Sequence, residues 1–152
     1  MTSSTTPVQA TLDQIYAEHR DRLLRLAFLL VGSRDHAEDV VQTVFTSAHE
    51  RWVQIEQPVP YLNRAVVNAC ADLHRRRLRR PPLPSIEPVT QIPELDETWQ
   101  ALRLLPARQR AVVVLHYYED RPLTEIADIL RTPASTVRSD LRRALARLKK
   151  EL

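Results

Sequence analysis

The chain has 152 residues, enough for one ordinary domain or two small ones and too few for a large multidomain enzyme. Apolar residues make up 43% of it and aromatics only 5%, and its single glycine, Gly32, excludes dinucleotide fingerprints, P-loops and nucleophile elbows, each of which needs at least two glycines at fixed spacing. The single cysteine, Cys70, excludes an internal disulfide and a multi-cysteine zinc site. His19, His36, His49, His74 and His116 show no paired ligand spacing, so neither a metal nor a cofactor is expected.

No apolar stretch approaches the roughly 20 residues of a membrane span; Arg25 interrupts the richest run, Leu23 to Val31. The Ser/Thr-rich residues 1–10 carry no signal pattern and are expected to be a disordered tail. The expectation is a cytoplasmic protein without membrane insertion. The formal charge is only +3, with a pI near 9.4. Its distribution is more informative than its sum. Six arginines stand against Asp72 between Arg64 and Arg80, and seven basic residues against Asp140 between Arg131 and Lys150. The remainder is net acidic. Two basic blocks separated by neutral and acidic sequence suit two contacts on one polyanion, although a solvated helix face produces a charge run as well.

Leu12 to Leu30 carries Leu12, Ile15, Tyr16, Leu23, Leu26, Ala27 and Leu30 at helical intervals, with Gly32 as the stop. Asp35 and Glu38 have capping-box spacing and open a second helix, with Val40, Val41, Val44, Phe45 and Ala48 on its apolar face. Pro58 and Pro60 break continuity before a third helix near Tyr61, whose seam is Leu62, Val66, Ala69 and Leu73. Five prolines from Pro81 to Pro93 mark a linker. Helical pattern resumes at Glu94, and Pro106 is placed in the first turn of a helix carrying Val112, Val113, Val114, Leu115 and Tyr118. A short helix, Pro122 to Leu130, a turn and a last helix, Ser135 to Lys149, follow with helix-turn-helix proportions. The fold class is therefore all-α: two small helical domains joined by a Pro-rich linker, the second a helix-turn-helix. The expected division is 1–10 tail, 11–80 first domain, 81–93 linker and 94–152 second domain.

On the last helix Val137, Leu141, Ala144 and Leu148 line one side at 100° per residue, and Ser135, Arg138, Ser139, Arg142 and Arg143 fall opposite. Arginines and hydroxyls near a helix N-terminus suit major-groove reading. Opposite the third helix's seam lie Tyr61, Arg64, Asn68, Asp72, Arg75 and Arg79, a face that can stack on and hydrogen-bond to unpaired bases. Asp39, Gln42, Thr43 and Thr46 form a polar strip on the second helix, open to a partner helix or simply to water. Cys70 is read as a small residue at the edge of the core rather than a nucleophile, since no motif places a base beside it.

DHAEDVVQTVF (35–45), YLNRAVVNACADLHRRRLRR (61–80) and LLPARQRAVVVLHYYEDRPLTEIADILRTPASTVRSDLRRALARLK (104–149), in this order around a variable linker, resemble the extracytoplasmic-function sigma factors of bacterial RNA polymerase. The resemblance implies a factor that binds core RNA polymerase, recognises minus-thirty-five and minus-ten promoter elements and initiates transcription without catalytic residues. It implies core-polymerase contacts by Asp35, Glu38, Asp39, Gln42, Thr43 and Thr46, where the family's helix meets the clamp coiled coil of the large subunit. Tyr61, Arg64, Asn68, Asp72, Arg75, Arg76 and Arg79 would meet the melted minus-ten strand. Ser135, Thr136, Arg138, Ser139, Arg142 and Arg143 would read the minus-thirty-five duplex. The partners implied are core polymerase, promoter DNA and an anti-sigma factor. Four residues depart from the family pattern. Thr43 stands where an acid is common, Arg131 and Ser135 where glycine is frequent, and Asp140 where a basic residue is usual. Either a different turn or a modestly strained turn at Arg131, and repulsion between Asp140 and DNA phosphates, are the expected consequences. The alternative to a sigma factor is a stand-alone helix-turn-helix regulator, which leaves the first block without a purpose.

Overall fold

A computed structural model describes residues 11–78 and 96–151, with side chains over 11–76 and 97–150. The tail 1–10, the linker 81–93 and Arg79 lie outside the described residues. All the regular structure described is helical, as the periodicity predicts.

Helix α1 (Leu12–Val31) starts at a capping box: the Gln14 N–H donates to Thr11 Oγ1 at 3.3 Å, and the Thr11 N–H donates to Gln14 Oε1 at 2.9 Å. It stops at Gly32, whose φ of 76° no side chain adopts cheaply and whose N–H donates to the Phe28 carbonyl at 2.8 Å. That turn leaves Ser33 extended, and Ser33 caps α2 (Arg34–Glu50) by accepting from the His36 N–H at 3.3 Å. Asp35 is therefore not the cap. It lies in the first turn, where its charge favours the helix N-terminus, and Glu38 pairs with Arg34 at 3.1 Å.

A 3₁₀ turn at Trp52–Gln54 leads to α3 (Pro58–Leu78). This helix starts three residues earlier than the prolines suggested. Both fall in its first turn, where a missing N–H breaks no intrahelical bond. Leu26, Ala27 and Leu29 of α1, Val41, Phe45 and Ala48 of α2, and Leu62 and Val66 of α3 fill the space among the three helices.

In the second half, α4 (Asp96–Leu102) precedes α5 (Ala107–Val113), and Pro106 is the N-cap of α5 rather than a first-turn residue. A π-turn, Val114–Tyr118, continues α5; α6 (Leu123–Leu130) and α7 (Ala134–Glu151) complete the chain. The extra residue of the π-turn rotates Tyr117 and Tyr118 outward, to 55% and 39% exposure, so Tyr118 is not on the apolar face expected for it.

The halves share one core. Trp99 of α4 packs on Phe28 of α1 with ring centroids 4.8 Å apart, and the Arg110 guanidinium lies 5.3 Å from the Trp99 ring centre. A Cβ at Gly32 would sit 3.1 Å from Arg110 Nη2 and 3.2 Å from the Trp99 ring, a tight fit that adds to the φ of 76° in favouring glycine there. Deeper in the seam, Leu30, Val67, Cys70, Ala71 and His74 meet Ala111, Leu115 and Leu130 around a cavity of about 10 Å³, no larger than one water. The α3 seam is consequently shifted as well as widened relative to its predicted stripe: Val67, Cys70, Ala71 and His74 are buried with Leu62 and Val66, whereas Ala69 and Leu73 are only partly buried. Burial pushes the Cys70 thiol up to about 12, which leaves it unreactive, and it sits inside the core rather than at its edge.

Candidate nucleic-acid and partner interfaces

Three surfaces carry the residues singled out by sequence. On α2, Asp35, Asp39, Gln42, Thr43 and Thr46 are exposed and Glu38 half-exposed, opposite the buried Ala37, Val41, Val44 and Ala48. Thr46 Oγ1 donates back to the Gln42 carbonyl at 2.9 Å, which fixes that side chain on the strip. An open groove beside it is lined by Tyr16, Gln42, Phe45, Thr46 and His49. The helical spacing puts Tyr16 on the apolar face of α1, yet it is 41% exposed. Its ring stands edge-on to Phe45 at 4.8 Å, and its hydroxyl accepts from Arg20 Nε at 2.9 Å. Tyrosine at the border of a helical stripe is the signal that was available, since its ring suits the core and its hydroxyl suits water.

On α3, Arg64 and Asn68 are one helical turn apart and exposed, while Tyr61 is half-buried and packs its ring on the core. Tyr61 and Arg64 also line an open pocket with Pro60 of the first turn of α3 and with Arg51, Gln54, Ile55, Glu56 and Gln57, which precede the helix. Asn68 lies beyond that pocket on the same face. Farther along, Asp72 accepts from Arg76 Nη2 at 2.9 Å and from Arg75 Nη2 at 3.1 Å, and these two guanidiniums hold its carboxyl below the usual aspartate range. Arg75 also donates through Nη1 to the Ile129 carbonyl of α6 at 2.9 Å, so it is engaged by the second half rather than standing on the open face. That partner is 54 residues away in sequence and no periodicity discloses it.

On α7, Ser135, Arg138, Arg142 and Arg143 are exposed and Thr136 and Ser139 half-exposed, while Val137 and Ala144 are fully buried. The turn before it places Arg131 at φ 52° and ψ 48°, a left-handed cap, and the Thr132 N–H donates to the Ala127 carbonyl at 3.0 Å. Of the two outcomes expected at Arg131, the strained left-handed turn is the one that forms. Asp140 corrects the expectation that it meets phosphates. It is 3% exposed, on the inner edge of α7, with Oδ2 at 2.8 Å from Arg108 Nε of α5. A residue three positions from Val137 and four from Ala144 falls at the margin of the buried stripe, and its charge is tolerated there because an arginine meets it.

Among the described residues no group of three His, Cys, Asp or Glu is placed to hold a metal, and no helix is long and apolar enough to cross a membrane. A helix-turn-helix with a basic outer face, fused through a shared core to a second basic helix and a polar docking strip, defines a transcription factor with more than one DNA contact.

Residues 15–80 match Sigma-70 region 2, and residues 95–148 match Sigma-70, region 4. The chain is 36% identical over 146 residues to the RNA polymerase sigma-E factor of Streptomyces coelicolor, covering 88% of this chain and 81% of that one. It is 34% identical over 145 residues to the ECF RNA polymerase sigma factor SigM of Mycobacterium tuberculosis, covering 90% and 74%. In fold it is similar to the sigma factor RpoE of Bartonella quintana, solved in complex with the anti-sigma factor NepR, with a TM-score of 0.61 at 23% identity over 91% of this chain and 94% of that one. The chain belongs to the sigma-70 family, in its extracytoplasmic-function group. It is an RNA polymerase sigma factor, a DNA-binding initiator of transcription whose partners are core polymerase and promoter DNA.

Proposed function

We propose a division of labour in which residues 11–80 bind core polymerase and capture the melted minus-ten strand, and residues 94–152 read the minus-thirty-five duplex across the linker 81–93. The observation that carries it is the pairing, on α3, of exposed Arg64 and Asn68 with an open loop pocket. A pocket beside a basic and amide-bearing face favours an unstacked base over a paired one, and strand opening then follows from differential binding, with no catalytic residue of its own. Asp35, Glu38, Asp39, Gln42, Thr43 and Thr46 dock on the polymerase, with Tyr16 beside them. Tyr61, Arg64, Asn68, Asp72, Arg76 and Arg79 serve the minus-ten strand, while Arg75 is held by the Ile129 carbonyl of α6, and Ser135, Thr136, Arg138, Ser139, Arg142 and Arg143 serve the upstream duplex. The protein works in the cytoplasm and is restrained by an anti-sigma factor.

The test is open-complex formation by holoenzyme reconstituted with core polymerase. Asn68→Ala and Arg64→Ala are expected to reduce it on duplex promoter and to reduce it less on a template already mismatched through the minus-ten region. Equal losses on both templates would replace base capture with general electrostatic attraction.

A further inference from the structure

Asp140 is a carboxylate within the reading helix whose side chain is only 4% exposed, and its ion-pair partner, Arg108, remains 43% exposed. The contact has two parts. Arg108 Nη2 donates to Asp140 Oδ1 at 3.4 Å, and Nε lies 2.8 Å from Oδ2 without hydrogen-bond alignment. A buried carboxylate without a cation is strongly disfavoured, so this pairing is obligatory and fixes where the Arg108 guanidinium sits. That place is functional ground. Arg108 and Asp140 line an open groove with Ser135, Thr136, Ser139 and Arg143, the hydroxyls and the guanidinium of the outer α7 face. The charge the groove shows to solvent is mainly that of Arg108 and Arg143, since the Asp140 side chain, though part of the lining, is almost wholly buried.

We propose that Arg108 is a backbone-phosphate contact of the upstream promoter duplex, and that Asp140 is the residue that positions it. The assignment rests on α7 being the reading helix. It adds a contact from outside that helix, on α5, and gives the acid at 140 the opposite role from a phosphate repeller. An arginine already held in place loses less freedom when it binds than an unrestrained one, and its planar fork suits phosphate.

The test uses the full chain in holoenzyme and a duplex carrying the upstream element, with affinity measured across a series of salt concentrations. Arg108→Ala is expected to weaken binding by a similar factor for every single-base variant of the element. It should also lower the slope of log affinity against log salt by about 0.9, the value for one lost phosphate contact. Arg108→Lys, which keeps the charge and loses the fork, should retain most of the slope and lose part of the affinity. D140N separates the two roles by sign. Positioning predicts weaker binding, because the guanidinium is no longer held by a charge, whereas repulsion predicts tighter binding. Tighter binding by D140N overturns the proposal, and so does an unchanged salt slope for Arg108→Ala, since a clamp that serves only stability moves the melting temperature and not the slope. Arg138→Ala is run beside these. If it changes base preference while Arg108→Ala changes nothing, the reading helix stands and the Arg108 contact falls. If Arg138→Ala also leaves promoter binding untouched, both fall together.

Discussion

At the scale of single residues, the departures from the family pattern turn out to have different physical consequences. Asp140 is buried and paired with Arg108, while Arg131 keeps its place in the turn and carries the strain itself, at φ 52°. A side chain in the left-handed region costs roughly 1–2 kcal/mol through contact between its Cβ and the carbonyl. Replacing it with glycine returns part of that gain, because the unfolded chain becomes freer by about 0.4–1 kcal/mol. Arg131→Gly is therefore expected to stabilise the protein by a net amount of up to about 1.5 kcal/mol, read as a higher urea midpoint at unchanged slope. A lower midpoint would mean that the Arg131 side chain contributes more to the fold than its backbone costs. The turn itself was legible in sequence as the break between two short helices. The burial of Asp140 was not, because the arginine that makes it tolerable lies 32 residues away on another helix.

At the scale of elements, periodicity located the helices, and it failed where the chain departs from 3.6 residues per turn or where a proline has two meanings. The π-turn at Val114–Tyr118 keeps an apolar run but shifts its phase, and Pro58 reads equally as a breaker and as a helix start. Faces were more legible than ends. The α2 strip and the outer face of α7 are exposed as their spacing required, whereas the far part of the α3 face is altered by Arg75, which reaches across to α6. Two predictions belong here. Asp39→Ala with Gln42→Ala should leave stability within about 0.5 kcal/mol, since neither side chain is buried, and should weaken binding to core polymerase by about 1 kcal/mol or more in sum. Unchanged affinity in a folded double variant would remove the α2 strip from the docking surface. On α7, Arg138→Ala and Arg142→Ala should each cost about 1–3 kcal/mol and relax base preference at one position of the upstream element. Lys149→Ala with Lys150→Ala, at the far end of the helix, should weaken binding evenly across sequences. Binding of holoenzyme to a panel of single-base promoter variants checks both, and an even loss from the arginine variants would reduce the helix to a basic surface.

At the scale of the whole molecule, what the sequence did not disclose is that the two halves share one core. An amphipathic stripe tells that a helix has a buried side but not which helix covers it, and α3 is buried against both α1 and α6. Besides Cys70, the seam includes a carboxyl whose charge is unfavourable there. Burial pushes the Glu119 carboxyl above the usual glutamate range, against the pull of a hydrogen bond with Asn63 of α3 and the nearby Arg22 of α1 and Arg121, while Asp120 adds to the push. The folded protein thus holds a proton on Glu119 at a pH where the unfolded chain has released it. Below the ordinary glutamate value of about 4.3, both states are protonated and the neutral side chain stabilises the fold in full. As pH rises from there through the raised folded value, that contribution is lost, and above it the ionised group opposes packing of the halves. Glu119→Gln keeps the shape and the means to hydrogen-bond Asn63 but cannot ionise. The variant is expected to match the parent near pH 4, to exceed it as pH rises through the raised folded value, and to keep a constant lead from there to pH 7.5, by less than about 1 kcal/mol because solvent screens a half-buried group. Urea midpoints of both proteins at several pH values across this range provide the measurement. The difference between them must widen from pH 4 through the raised folded value; a difference constant over the whole range, or one that narrows, would show that the Glu119 charge is accommodated at the seam without cost.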